Sequence, residues 1–252
     1  MQDRYAFDTG DFSKLGLLRR LAGVHDGGPR LRLGLFWYAC DLVPEGNDGR
    51  HLGYLELARP APSLSAERRF RICEPEVYDG FRHALRRSPT RSIARLERSR
   101  LFPEDTVFVR DLVPRRDRAA WFERGAARIR GCELVCCDPD NGLAEEDRAS
   151  PKHILWSEVR ALHDAGSSLV VYHHLNRLSP HPAQIRAGLG RLAGISRAQP
   201  FALRYRRGSS RAYFVLPQPE HANLLRRRAE ELVAGPFGAL GHFELSGNLG
   251  RA

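Results

Sequence analysis

Glu133-Leu134-Val135-Cys136-Cys137-Asp138-Pro139-Asp140-Asn141-Gly142 decides the fold class of this 252-residue chain. A short apolar run stopped by turn-forming residues reads as a buried strand that ends at a rigid polar turn. Working outward, residues 117–129 read as the helix before it and 106–112 as the strand before that. After it, a helix is expected from near Pro151 to Ala165, stopped by Gly166. An apolar strand over 168–172 then leads into His173-His174. Strands alternating with helices imply a mostly parallel sheet with right-handed crossovers, a three-layer Rossmann-like α/β fold.

Towards the N-terminus, 11–22 predicts a helix capped by Asp11, followed by a strong strand over 31–40 and a second candidate strand over 51–57. Residues 58–68 are rich in Pro, Ala and Ser and read as an exposed linker. Helices are expected from Pro75 to about Arg87 and over 92–99. Towards the C-terminus, 183–192 and 220–233 predict helices. Strands 201–205 and 212–216 form an antiparallel hairpin that closes the sheet. The expected organisation is one α/β domain over 1–235 with a glycine-rich flexible tail over 236–252. Parallel sheets place ligands beyond the carboxyl ends of their strands. That rule gathers 41–49, 111–114, 138–142 and 173–177 on one rim.

Composition narrows the function classes. No apolar run reaches the roughly 18–20 residues of a membrane span, and no secretory leader is evident, so a cytoplasmic protein with no membrane partner is expected. Strand alternation points Cys132 and Cys136-Cys137 to different faces, so the cysteines are expected as small apolar residues and not as a zinc cluster. The formal charge is +10, which suits an anionic partner, RNA or DNA; a GC-rich coding bias accounts for it equally well. The 40 basic residues comprise 38 arginines and just two lysines, Lys14 and Lys152. Lysine is a compact ammonium without a planar fork, so the two survivors mark positions worth inspection.

Within the turn, Asp138 and Asp140 suit proton acceptance, amine orientation or a metal ion, and Asn141 offers both a donor and an acceptor. His173 and His174 at the next strand end are candidate bases or stacking groups, at most one of them facing the rim. Asn47, Asp48 and Gly49 follow the first strand, where a nucleotide-type fold meets its cofactor, and Asp111 ends the second. Lys152, Arg204, Arg206 and Arg211 are candidate substrate contacts, because arginine beside Tyr205 and Tyr213 can hold phosphates and stack on bases.

The order of elements resembles the class I S-adenosylmethionine-dependent methyltransferase fold. In layout it is most similar to the bacterial adenine-N6 methyltransferases of 23S ribosomal RNA. Their GxxxDxxKHxxL-like leader resembles Asp11, Lys14 and Leu17-Leu18 here. Their DPPY motif, which holds the amino group being methylated, corresponds to Asp138-Pro139-Asp140-Asn141; where that motif carries Pro and Tyr this chain has Asp140 and Asn141. The chain is also similar to a group of bacterial proteins sharing GDFxKxxLLR and DPDNG-like segments. The resemblance implies a methyltransferase-like enzyme acting on nucleic acid with S-adenosylmethionine as donor, Asp138 accepting from the target amine. Two further readings stay open. One is a phosphodiesterase or nuclease holding Mg²⁺ or Mn²⁺ through Asp138, Asp140, Asp111 and a histidine. The other is a non-catalytic nucleic-acid-binding module on the same scaffold.

Overall fold

A computed structural model describes residues 1–41, 51–148, 150–208 and 210–246. In chain order the helices are α1 (Thr9–Leu21), α2 (Leu64–Arg69), α3 (Pro75–Arg87), α4 (Ile93–Glu97), α5 (Arg118–Arg128), α6 (Trp156–Asp164), α7 (His181–Ala193), α8 (Ala222–Ala234) and α9 (Pro236–Ala239). The strands are β1 (Leu33–Phe36), β2 (Val107–Val109), β3 (Leu134–Cys137), β4 (Gly142–Ala144), β5 (His153–Leu155), β6 (Ser168–His174), β7 (Phe201–Tyr205), β8 (Arg211–Leu216) and β9 (Phe243–Ser246).

Seven strands form one sheet in the order β2-β1-β3-β6-β8-β7-β9. The first four are parallel, while β8 pairs antiparallel with β6 and β7, and β9 pairs antiparallel with β7. Alternate residues of each strand enter opposite cores. Leu33, Leu35, Leu134 and Cys136 pack with α1, α3 and α8; Phe36, Val135, Cys137 and Val171 pack with α5, α6 and α7. Burial on both faces is why these strands read as unbroken apolar runs. The fold is therefore three-layered α/β and Rossmann-like. No helix among the described residues is long and apolar enough to cross a membrane.

Several local expectations change. Helix α1 starts at Thr9, because Asp8 and not Asp11 caps it: the Asp8 carboxylate accepts from the amides of Gly10 at 2.7 Å and Asp11 at 3.1 Å. Residues 153–155 form strand β5, paired parallel with β4, instead of opening the following helix. Ile154 and Leu155 are buried there, and a strand lets both β4 and β5 satisfy their backbone groups. Residues 53–55 form a short 3₁₀ turn in place of a strand. Helix α2 begins inside the expected linker, its first turn capped by Ser63. The closing hairpin does not form the edge. Strand β9 lies outside it, so 236–246, expected as a flexible tail, carries α9 and β9, anchored by buried Phe237 and Phe243. Residues 247–252 lie outside the described residues.

Candidate functional site

Strand β1 has β2 on one side and β3 on the other, so the direction of the connections reverses between β1 and β3. Open α/β sheets bind ligands outside the carboxyl ends of their strands at such a switch point. A cavity of about 270 Å³ lies at this end of the sheet. Tyr5, Asp8, Lys14, Asp138, Asp140 and Asn141 line one part of it, and Lys152, Tyr172, His174 and Arg211 another. Met1, Gly10, Asp11, His51 and Pro139 complete the lining.

The floor is an ionic triad. The Lys14 ammonium donates to Asp138 Oδ2 at 2.7 Å and to Asp11 Oδ1 at 2.8 Å, with all three side chains buried. It also lies 4.9 Å from the centre of the Trp37 ring. Lys14 reaches the site because α1 is buried nearly all round; of its residues Arg20 alone is not buried. Burial disfavours the ammonium, but Asp11 and Asp138 outweigh it and hold Lys14 well above its ordinary range. Burial raises the Asp138 carboxyl, and the opposing pull of Lys14 and the Met1 ammonium only partly restores it. A carboxylate with a raised pKa is a better proton acceptor than a solvated one.

Asp140 sits in a different environment. It accepts from the Met1 ammonium at 2.8 Å and from Gln2 Nε2 at 2.8 Å. Burial would raise it, yet the ammonium and the hydrogen bonds from Gln2 and Cys40 hold it below the usual carboxylate range. The same Met1 ammonium donates to the Tyr38 carbonyl at 2.8 Å, beyond the end of β1. This corner offers that ammonium one carbonyl and one carboxylate.

The histidines separate as strand alternation requires. His174 lines the cavity, on the same face of β6 as Tyr172. His173 points the other way, its Nδ1 accepting the Leu143 amide at 3.1 Å, and burial pushes it down to about 4. His242, fully buried beside Phe70 and Phe237, is likewise pushed down to about 4. Both rings resist protonation in the fold and accept it when unfolded. Stability is therefore expected to be full above pH 6.5 and to fall as the pH drops towards 4, with no further loss from these groups below that. At about 1.4 kcal/mol per pKa unit each contributes at most roughly 3 kcal/mol. Urea midpoints measured across this range check it, and a flat profile would contradict the burial of both rings.

Gly142 makes the turn possible. Its φ is +101°, and a Cβ there would lie 2.4 Å from His173 Nδ1 and 2.7 Å from its Cα. Gly142→Ala should therefore cost about 2 kcal/mol or more, combining left-handed strain with a backbone clash. A melting shift under about 2 °C would contradict this, since about 1 kcal/mol moves a chain of this size by roughly 2–4 °C.

Of the residues singled out in the sequence, the cavity gathers Lys14, Asp138, Asp140, Asn141, Lys152, His174 and Arg211. Both lysines of the chain therefore line the same cavity. The fold does not bring Asp111 there: it is exposed and pairs with Arg128 at 2.6 Å. Arg204 and Arg206 pair with Glu244 on β9, away from the cavity. Asn47, Asp48 and Gly49 lie outside the described residues. Tyr5, Asp8 and Tyr172 were not singled out. Asp8 was detectable as a capping residue ahead of an apolar helix, and Tyr172 as the residue two before His174 on one strand face. No comparable signal marks Tyr5.

Support for the turn comes from a network invisible in the sequence. Glu158 accepts from Arg118 Nε at 2.7 Å, the Leu155 amide at 3.0 Å and the Tyr38 hydroxyl at 3.1 Å. Arg118 also donates to the carbonyls of Ser150 and His153. Together they tie the end of β1 to β5 and hold the segment carrying Lys152. All five cysteines are free thiols; Cys132, Cys136 and Cys137 are buried in the apolar cores, whereas buried Cys40 donates to Asp140. Among the described residues no group of three His, Cys, Asp or Glu side chains is placed to hold a metal ion. Asp138 and Asp140 are each engaged by an ammonium, and Asp111 is outside the cavity. No family model and no curated protein matches this chain.

Proposed function

We propose that the protein is a methyltransferase-like enzyme acting on an amino group of a nucleic acid. The observation that carries the reading is the position and state of Asp138. It is a buried carboxylate with a raised pKa at the carboxyl end of β3, beside the switch point, and Lys14 fixes its orientation from α1. The Asp138 carboxylate accepts an N–H of the target amine, aligning the nitrogen lone pair and drawing off the proton as the nitrogen becomes cationic. The Asn141 side-chain carbonyl accepts a second N–H. Lys14 is a positioning residue, since its ammonium keeps one Asp138 oxygen engaged and leaves the other for the substrate.

The cavity is smaller than the 300–1,000 Å³ usual for ligand sites and suits one extruded base. Tyr5, Tyr172 and His174 line it and provide ring faces in place of the aromatic residue missing from the DPDN turn. S-adenosylmethionine, when bound, supplies the methyl group. The corner formed by the Tyr38 carbonyl and Asp140 fits the α-ammonium of its methionine moiety, the Met1 ammonium being the stand-in that occupies it here. Residues 1 and 2 must move aside for the cofactor to enter.

Calorimetry with S-adenosylmethionine, paired with transfer of a labelled methyl group to single-stranded RNA and DNA, tests the reading. Cofactor binding weakened by Asp140→Asn, together with label in the nucleic acid, is the expected result. Absence of cofactor binding would overturn it.

A further inference from the structure

Three contacts fix the Lys14 ammonium, and the third is a ring. Its N–H groups reach Asp138 Oδ2 at 2.7 Å and Asp11 Oδ1 at 2.8 Å, which uses two of the three it carries. Two hydrogen bonds alone leave an ammonium free to pivot about the line joining its acceptors. The Trp37 ring removes that freedom, its centre lying 4.9 Å from Lys14 Nζ. Tryptophan attracts a cation more strongly than the other aromatic residues, and the attraction grows where water is excluded. Lys14 and Trp37 are both buried.

Trp37 is held on three sides. It follows β1, and its amide donates to the Val109 carbonyl at 3.0 Å. Phe102 meets the ring edge to face, 6.1 Å between centres at 85°. The indole N–H donates to Oε1 of Glu97, on α4, at 2.8 Å. Exposed Arg110 pairs with the other Glu97 oxygen. Burial raises the Glu97 carboxyl, against the pull of Arg110 and the indole N–H. An indole N–H bonded to a carboxylate pushes electron density into the ring and makes its face more negative. A line of contacts thus runs from Arg110 at the surface through Glu97, Trp37 and Lys14 to Asp138.

We propose that Trp37, oriented by Glu97, is a positioning residue: its ring face sets the direction from which Lys14 engages Asp138, and so keeps the second Asp138 oxygen turned to the cavity. The inference deepens the function proposed above and rests on it for the role of Asp138. Neither Trp37 nor Glu97 lines the cavity, so each acts through Lys14. The titratable groups facing the ammonium are Asp11 on α1, Asp138 and Cys136 at β3, Tyr172 on β6 and Tyr213 on β8. Burial raises the two phenols and the thiol, which stay neutral at ordinary pH. Asp138 also faces the Met1 ammonium.

Carbon-13 titration of the aspartate carboxyls tests it, the Asp138 signal being assigned by its absence in Asp138→Asn. Trp37→Leu removes the ring face and should raise the Asp138 carboxyl by roughly half a unit to one unit, because a displaced ammonium stabilises the carboxylate less. Trp37→Phe keeps a ring and should bring it back to within about 0.3 unit of the unaltered protein. Glu97→Gln keeps the volume and the acceptor but not the charge, and should raise the carboxyl by about 0.2–0.3 unit. Its sign is diagnostic, since removing a like charge through space would lower the carboxyl. The rising limb of the pH–rate profile of methyl transfer should move by the same amounts. An unmoved Asp138 carboxyl in folded Trp37→Leu, or Trp37→Phe as perturbed as Trp37→Leu, would overturn the proposal. If Trp37→Leu does not fold, a lowered or unmoved carboxyl in Glu97→Gln overturns it. The titration needs neither cofactor nor nucleic acid. A Trp37-dependent shift in a protein that binds no S-adenosylmethionine therefore rejects methyl transfer and leaves the positioning role standing; methyl transfer with an unmoved carboxyl does the reverse.

Discussion

Lys14→Met is expected to destabilise the protein by about 3–5 kcal/mol, the range for removing one partner of a buried ion pair. The substitution keeps a long unbranched side chain and so leaves little cavity. What it removes is the single ammonium shared by Asp11 and Asp138, both buried. Two carboxylates then face each other without a counter-charge, and the contact with the Trp37 ring is lost. For a chain of this size the melting temperature should drop by roughly 6–20 °C. The pH dependence identifies the cause. Burial already raises both carboxyls, and loss of the ammonium raises them further. A group whose pKa is raised by folding favours the folded state at low pH and loses that contribution as the pH rises through its folded value. The variant should therefore regain part of its stability on mild acidification. Calorimetric melts at neutral and mildly acidic pH measure both effects. A loss below about 1 kcal/mol would show that the triad is not the electrostatic keystone of the site.

Asp138→Asn should lower methyl transfer by about 10²- to 10⁴-fold, the usual contribution of a positioned general base. Asparagine is nearly isosteric, and its carbonyl still accepts from Lys14, which also keeps Asp11. The fold should survive with a modest loss. Single-turnover rates with saturating nucleic acid isolate the chemical step. A residual rate within tenfold of the unaltered protein would remove Asp138 from the acceptor role. In the unaltered protein the raised Asp138 carboxyl predicts a rising limb of the pH–rate profile above the ordinary aspartate value.

The apolar run 134–137 and its polar stop were legible as a strand and a site because both signals are local. Solvent-free packing on two faces demands unbroken apolar residues, and a strand-to-loop exit demands turn formers. The same locality made Lys14 and Lys152 visible as oddities in an arginine-rich chain. Their meeting in one cavity was not visible, for it depends on α1 being buried against the sheet and on β4 and β5 pairing in parallel. Strand β5 was read as the approach to a helix, since three residues carry too little periodicity to separate the two and the pairing that stabilises them lies eleven residues upstream in register, Gly142 with His153. Asp111 looked equivalent to Asp138 by position at a strand end, yet Arg128 on α5 draws it outward.

Sequence alone therefore determined the fold class, the strand that ends in DPDNG and the rim on which it opens, because hydrophobic period and turn chemistry are written residue by residue. Tertiary structure decided which charges meet there. Lys14 lies 124 residues from Asp138 along the chain yet 2.7 Å away in space. Only the burial of both, in a medium that disfavours lone charges, turns two scattered residues into one site.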